Sequence, residues 1–392
     1  MGAAETKGLR YLNQRLEPIS FNMDNLLAGR LQMAFSLGFH IVFACIGMVM
    51  PFLMAAAHWR WVRHGEETDK RLAQAWARGV AIFFAVGAVS GTMLSFELGL
   101  LWPEFMEHAG PIISMPFSLE GSAFFLEAIA LGLFLYGWGR MNKWVHFGSG
   151  VVVGICGVTS GILVVAANAW MNAPTGFEWV NGQAQNVDPI AAMFNPAWFT
   201  QSLHMVLAGF VATSFGVAGV HAFQLLRHPE NPVHKRALRI AMTFGVISAV
   251  LQPLSGDLSA KGVAQRQPAK LAAMEGHFKT EKGAGLWLGG IPDEEAQTVR
   301  YGVQIPYALS FLAHGDPLAE VKGLDQVPRS DWPPVVITHI SFQVMVALGL
   351  FLLAVGLLFT YARWKRPQWL AQKWLLRLVA STAPMGFLAV EA

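Results

Sequence analysis

Five ionisable side chains stand within largely apolar runs of this sequence: His40, Glu97, Glu120, Glu127 and His204. Such a group in hydrocarbon costs about 2.5–3.5 kcal/mol on insertion scales, so each is a functional candidate. Glu120 and Glu127 lie seven residues apart in FSLEGSAFFLEAIALGLFLYGW. On a helix that spacing is two turns, which puts both acids on one face with the second roughly 10 Å deeper. Stacked acids of this kind suit a proton relay or a pair of metal or cofactor contacts. The plainer alternative is a structural hydrogen-bond pair to a neighbouring helix. His40 lies in GRLQMAFSLGFH and His204 in WFTQSLHMVLAGF. A single helical histidine is more often a satisfied core residue than a ligand. Two of them in one small bundle, with no dense Cys or Asp/Glu spacing, point to haem, for which imidazole is the usual axial donor. Met345, in SFQVMVALGL, offers a thioether as a sixth ligand, although with 17 methionines composition does not single it out. Glu97 falls near the end of its run, where it can snorkel to the interface, and a bland role is expected for it.

The elements that position these groups are membrane helices. The 392 residues are 54% hydrophobic and 14% charged, with a mean hydropathy of +0.42, against about a quarter charged in soluble domains. That composition excludes a soluble enzyme. Met33–Ala57, Gly79–Phe96, Gly148–Trp170 and Val335–Tyr361 contain no Asp, Glu, Lys or Arg, and each reaches or nears the roughly 20 residues that cross a bilayer. The fold class expected is all-α, a polytopic bundle of about eight transmembrane helices near 31–57, 79–98, 112–138, 148–170, 200–224, 238–256, 334–361 and 374–391. A net charge of +3, spread over short loops, excludes nucleic acid as a partner. Cys45 and Cys156 both lie in apolar runs and form no C-x-x-C pattern. The polar first thirty residues lack a cleavable signal core, so the first span is expected to direct insertion itself.

Sidedness follows from the cations. Loops one, three, five and seven carry sixteen Lys and Arg between Arg60 and Arg377, whereas Trp102–Gly110 and Asn172–Thr200 carry none. The positive-inside rule then places the N-terminus outside, against a minor opposing pull from Lys7, Arg10, Arg15 and Arg30. Spans one, three, five and seven run inward, so His40, Glu120, His204 and Met345 fall roughly 5–15 Å from the outer hydrocarbon edge, with Glu127 deeper. The connection from Asp257 to Trp332 is long and polar, which marks a functional outer loop or small domain. Three parts are expected: a six-helix membrane part (1–256), the outer loop (257–332) and C-terminal membrane helices (333–392). A redox centre near the outer edge, with an acid between it and the cytoplasm, suits oxidation of a lipid carrier outside and proton uptake from inside.

The strings GRLQMAFSLGFH, SFELGLLWPEF, PFSLEGSAFFLEAIALGLFLYGW, SLHMVLAGFV, KLAAMEGHF, GIPDEE, QIPYALSF and SFQVMVALG, in this order, resemble subunit I of the cytochrome bd quinol oxidases. The likeness runs from about residue 22 to the C-terminus. FELGLLWPEF and the acid pair seven apart are most similar to the cyanide-insensitive branch, and the outer loop resembles its short class.

The resemblance implies an enzyme of the bacterial cytoplasmic (inner) membrane that oxidises ubiquinol or menaquinol and reduces O2 to water. It implies low-spin haem b, high-spin haem b and haem d, or a second high-spin haem b in place of haem d. It also implies a subunit II partner and a small single-helix accessory subunit. His40 matches the histidine of the high-spin haem site. His204 and Met345 match the axial ligands of the low-spin haem b. Glu120 and Glu127 match the acids that deliver protons to the high-spin site, and Lys270 and Glu275 match the pair in the quinol-binding loop. Without the resemblance, Lys270 and Glu275 read as an exposed pair on a loop helix. Two departures stand out. Gln343 occupies a place where the family usually has arginine, and the chain ends at Ala392 where the family continues through a G-W-x-x-T-E-x-G-R-Q-P-W stretch into a ninth span. The resemblance therefore implies C-terminal truncation. Two other readings fit the residues alone: a haem electron-transfer subunit without oxygen chemistry, and a proton-coupled secondary transporter.

Overall fold

The computed structural model describes residues 24–392. The expectation for the polar N-terminal stretch falls mostly on residues 1–23 and lies outside them. Among the described residues, seven helices are long and apolar enough to cross a membrane. They are α1 (Asn25–His64), α2 (Glu67–Leu101), α3 (Pro103–Tyr136), α4 (Lys143–Asn172), α6 (Trp198–Arg227), α7 (Pro232–Arg266) and α10 (Val335–Lys365). A short α5 (Pro189–Met193) follows the small hairpin of β1 (Glu178–Val180) and β2 (Gln183–Gln185).

Local chemistry sets the ends of these helices. Asn142 accepts from the Trp144 amide at 2.9 Å and Asn231 from Val233 at 3.0 Å, so orphan N–H groups of α4 and α7 are capped. Pro103 and Pro232 sit in first turns, where a missing N–H costs nothing. Gly65 closes α1 at φ 72°, a left-handed conformation that glycine adopts without strain.

The helices share one apolar core. Leu53 and Met54 of α1, Leu72 of α2, Phe134 of α3, Val153 of α4, Phe215 of α6, Met242 of α7 and Leu352 of α10 are all buried in it. α1 occupies the middle and packs on α2, α4, α6 and α7. Small residues allow the close approaches: a Cβ on Gly154 would lie 2.9 Å from the Phe52 ring, and one on Gly150 would lie 2.8 Å from Phe134. At the end carrying the cationic loops, Asp69 of α2 is fully buried and pairs with Arg236 of α7 at 3.1 Å and Arg60 of α1 at 3.4 Å.

The structure departs from expectation at the last span. Residues 374–391 form two short helices, α11 (Lys373–Ser381) and α12 (Met385–Glu391), each far short of a bilayer crossing. Pro384 lacks an N–H and disfavours helical backbone at Ala383, so the helix stops there. Thr382 is fully buried and returns its hydroxyl proton to the Val379 carbonyl at 2.7 Å. The break is packed against α6, where a Cβ on Gly219 would lie 2.7 Å from Ala383.

The long connection is built rather than structureless. α7 continues ten residues past the expected end at 256, to Arg266, and α8 (Pro268–Glu275) comes at once after it. Antiparallel ladders then pair β3 (Glu281–Lys282) with β8 (Glu320–Val321), β4 (Leu286–Leu288) with β7 (Val303–Ile305) and β5 (Ile291–Asp293) with β6 (Thr298–Arg300). α9 (Ala308–His314) lies between β7 and β8, and Leu271, Ala284, Leu309 and Val321 form a local core.

Candidate functional site

His40 and His204 sit on different helices yet share one local arrangement. His40 of α1 is half-buried, with Nδ1 2.9 Å from the Ser90 hydroxyl of α2. Ser90 donates its own proton to the Val86 carbonyl at 2.8 Å, so its oxygen is left to accept from the imidazole Nδ1–H. His204 of α6 repeats this with Ser255 of α7, at 3.0 Å, and Ser255 donates to the Gln252 carbonyl at 2.8 Å. In both cases the hydrogen bond selects the tautomer protonated at Nδ1, the form a metal ligand needs; Nε2 of His40 meets no partner among the described residues, whereas Nε2 of His204 faces the Gln252 amide. Gly91 lets the His40 ring lie close to α2, since a Cβ there would be 3.0 Å from Cε1. Against the His204 ring lies the Gln252 amide nitrogen, 3.2 Å from Nε2, while the Gln252 Oε1 is buried without a partner among the described residues. These donors and cradles fit two imidazoles that would hold an iron-bearing cofactor through Nε2. Met345 is half-buried on α10, which packs on α7, the helix whose Ser255 bonds His204 of α6.

Glu120 and Glu127 both face α4, as their spacing predicts. Ser160 donates to Glu120 at 2.8 Å. One turn earlier on α4, Gly157 opposes Glu127, where a Cβ would lie 3.6 Å from Oε1. Glu127 is only 6% exposed and meets no hydrogen-bond donor among the described residues. The structural-pair alternative therefore describes Glu120 but leaves Glu127 unexplained.

Glu97 corrects the expectation of a snorkelling acid. Its residue is 6% exposed, and Oε1 accepts from Ser36 at 2.9 Å and from Gln32 at 3.2 Å, while Oε2 is buried without a partner among the described residues. Gln32, Ser36 and His40 recur every four residues on α1, and Ser90 and Glu97 lie seven apart on α2. The acid thus belongs to the polar seam that holds His40. Snorkelling fails because the α1 seam supplies donors that the lipid side lacks.

In the loop, Lys270 and Glu275 are not brought together. Five residues on one helix are about 140° apart, and Lys270 is exposed while Glu275 is 5% exposed at the C-terminus of α8. Glu275 Oε2 has no partner among the described residues, and burial pushes its carboxyl up to about 7. Gly276 ends the helix at φ 62°, and a Cβ there would press into Val299 at 2.7 Å. A surface cleft of about 440 Å³ bordered by Pro292, Arg300 and Arg329 contains none of the candidate residues.

The family model for cytochrome bd terminal oxidase subunit I matches residues 28–392. The chain belongs to that family. It is 33% identical over 373 residues to a putative cytochrome bd menaquinol oxidase subunit I of Bacillus subtilis, covering 94% of this chain and 84% of the relative. A cytochrome bd ubiquinol oxidase subunit 1 from the same organism is 30% identical over 383 residues, with 94% and 81% covered. Among solved structures, a chain of the bd oxidase from Geobacillus thermodenitrificans superposes with a TM-score of 0.89 at 40% identity, covering 94% of this chain and 85% of that one. Subunit I of a bd-type oxidase is thus a helical, multi-pass membrane protein here, as the spans imply.

Ser90, Ser160, Ser255 and Gln252 escape a reading of the sequence. Serine and glutamine are ordinary in helices, and only the partner helix 40 to 51 residues away shows what each one touches.

Proposed function

We propose that the chain oxidises quinol at its extracytoplasmic loop and passes the electrons inward to reduce O2 to water, with protons drawn from the cytoplasm. The observation that carries this reading is the paired arrangement at His40 and His204, each with Nδ1 held by a serine so that Nε2 is the nitrogen that would bind iron, at His204 once the Gln252 amide turns aside. Haem, when bound, supplies the one-electron iron couple that links a two-electron donor to oxygen. In this reading His204 and Met345 hold the low-spin haem b from α6 and α10, and His40 serves a high-spin haem. The high-spin pair is haem b with haem d, or two haems b.

The chain's own acids handle protons. Glu120, bonded to Ser160, and Glu127, two turns away and without a donor among the described residues, form the two stations of an uptake path along α3. Glu275, buried with one free oxygen and a carboxyl near neutral pH, is placed to accept a proton from a hydroquinone. Lys270, on the exposed side of α8, contributes a cation at the approach to the loop. Protons taken from cytoplasm for water and released outside from quinol separate charge without a dedicated pump. The partners in this reading are subunit II and a single-helix accessory subunit, in a bacterial inner membrane with the N-terminus outside. The three parts are the ligand-bearing bundle (1–256), the quinol loop (257–332) and the C-terminal helices that include Met345 (333–392).

The test is a reduced-minus-oxidised spectrum with iron analysis on the purified oxidase. Haem b bands with a chlorin-type band, or a second high-spin haem b signal, are expected. A folded, colourless, iron-free protein ends this reading, and haem b bands without oxygen consumption leave an electron-transfer subunit instead.

A further inference from the structure

The outer turns of α10 grip the loop through two side chains one helical turn apart, His339 and Gln343. His339 is fully buried. Its Nδ1 lies 2.8 Å from the Met274 carbonyl, the peptide next to Glu275, and Nε2 faces the Gly289 carbonyl at 3.4 Å. Gln343 holds the same turn from the other side: its Oε1 accepts from the Gly289 N–H at 3.1 Å, and its Nε2 donates to the Trp287 carbonyl at 3.0 Å. The turn joining β4 to β5 runs through Gly289 and Gly290 at φ 66° and 95°, left-handed backbone that glycine adopts freely, and the Gly289 N–H and C=O both meet side chains of α10. The ladders themselves have two strands of two or three residues, too little to hold the loop in one place unaided.

We propose that His339 and Gln343 are positioning residues for quinol oxidation. They dock the Glu275 end of α8 and the Trp287–Gly289 turn onto the helix that carries Met345, and so fix the loop relative to the low-spin site. Met345 is two residues beyond Gln343, about 200° round the helix, so one rigid rod presents the loop grip and the thioether on opposite faces. The identity of residue 343 matters here. Glutamine provides one acceptor and one amide donor for Gly289 in the turn and Trp287 of β4, whereas a purely donating side chain has no acceptor for the Gly289 N–H. This inference rests on reading residues 257–332 as the quinol-binding loop.

The test uses the intact oxidase with Gln343→Ala, Gln343→Glu and His339→Phe, assayed with a short-chain quinol and by hydrogen exchange. Losing one or two net hydrogen bonds predicts a KM raised about fivefold to tenfold with kcat within about twofold. The low-spin absorbance is expected to stay unchanged and amide protection over 287–290 to fall. Gln343→Glu keeps the acceptor for the Gly289 N–H but turns a carboxylate oxygen toward the Trp287 carbonyl, so it is expected to lower protection over 287–290 at least as far as Gln343→Ala. Unchanged protection over 287–290 overturns the clamp, and so does a KM rise that merely tracks loss of the low-spin signal. Reduced protection with an unchanged KM overturns the positioning role. Glu275→Gln, measured alongside, separates the two readings: unaltered quinol kinetics in that variant remove the quinol assignment of the loop itself.

Discussion

Ser160 donates its hydroxyl proton to Glu120 across the α3–α4 interface at 2.8 Å, whereas Glu127, seven residues on and facing the same helix, has no donor among the described residues. The two acids are therefore unequal: one is anchored and one is free to exchange. Glu120→Gln keeps the shape but holds no exchangeable acid proton, and turnover with oxygen is expected to fall by about 10²-fold or more with quinol KM little changed. Oxygen-electrode rates test this, and an unchanged rate removes Glu120 from the path.

His204→Ala is expected to abolish the low-spin haem b signal. Ser255→Ala leaves the ligand but frees its tautomer, and weaker haem retention by about 10-fold is expected, in line with the loss of an outer hydrogen bond to a ligating imidazole. Spectra of the purified variants during haem extraction give the readout. Equal retention in Ser255→Ala and wild type contradicts the tautomer argument.

Quinol oxidation is expected to depend on pH through Glu275. Burial raises its carboxyl to about 7, so the carboxylate that accepts a proton is scarce below that pH and dominant above it. Activity therefore rises through neutrality and levels off. The same shift means the folded loop favours the protonated acid, so its contribution to loop stability is full below the ordinary value of 4.5 and is lost as pH climbs through about 7. Glu275→Gln is expected to flatten the rate profile near pH 7. A profile that keeps its inflection assigns the titration elsewhere.

Asp69→Asn leaves Arg60 facing a neutral amide where α1, α2 and α7 meet, while Arg236 keeps its pair to Glu66 at 2.6 Å. Both arginines are partly exposed, at 32% and 19%, so the loss falls below that of a fully buried pair, and a lower detergent-solubilised melting temperature is expected. Haem spectra at low temperature stay normal, because the cluster lies at the bundle end opposite the loop. A melting temperature equal to wild type shows that the pair contributes no net stability.

Much of this molecule was legible from residue order alone. Charge-free runs of membrane length dictate a helical bundle because lipid leaves backbone polar groups no partner outside the helix. The seven-residue interval places Glu120 and Glu127 on one face through helix geometry, and both do face α4. Tertiary structure decided what local patterns do not encode. The break within 374–391 is local, set by Pro384, but its seat on the bundle rests on the close approach of Ala383 to Gly219 of α6. Glu97 was buried because Ser36 and Gln32, some sixty residues earlier, supply its donors. The tautomers of His40 and His204 depend on serines 50 and 51 residues away. Helical periodicity fixes the direction of a side chain from its own neighbours, but a hydrogen bond needs two groups within about 3 Å, and only packing of distant helices brings these pairs that close.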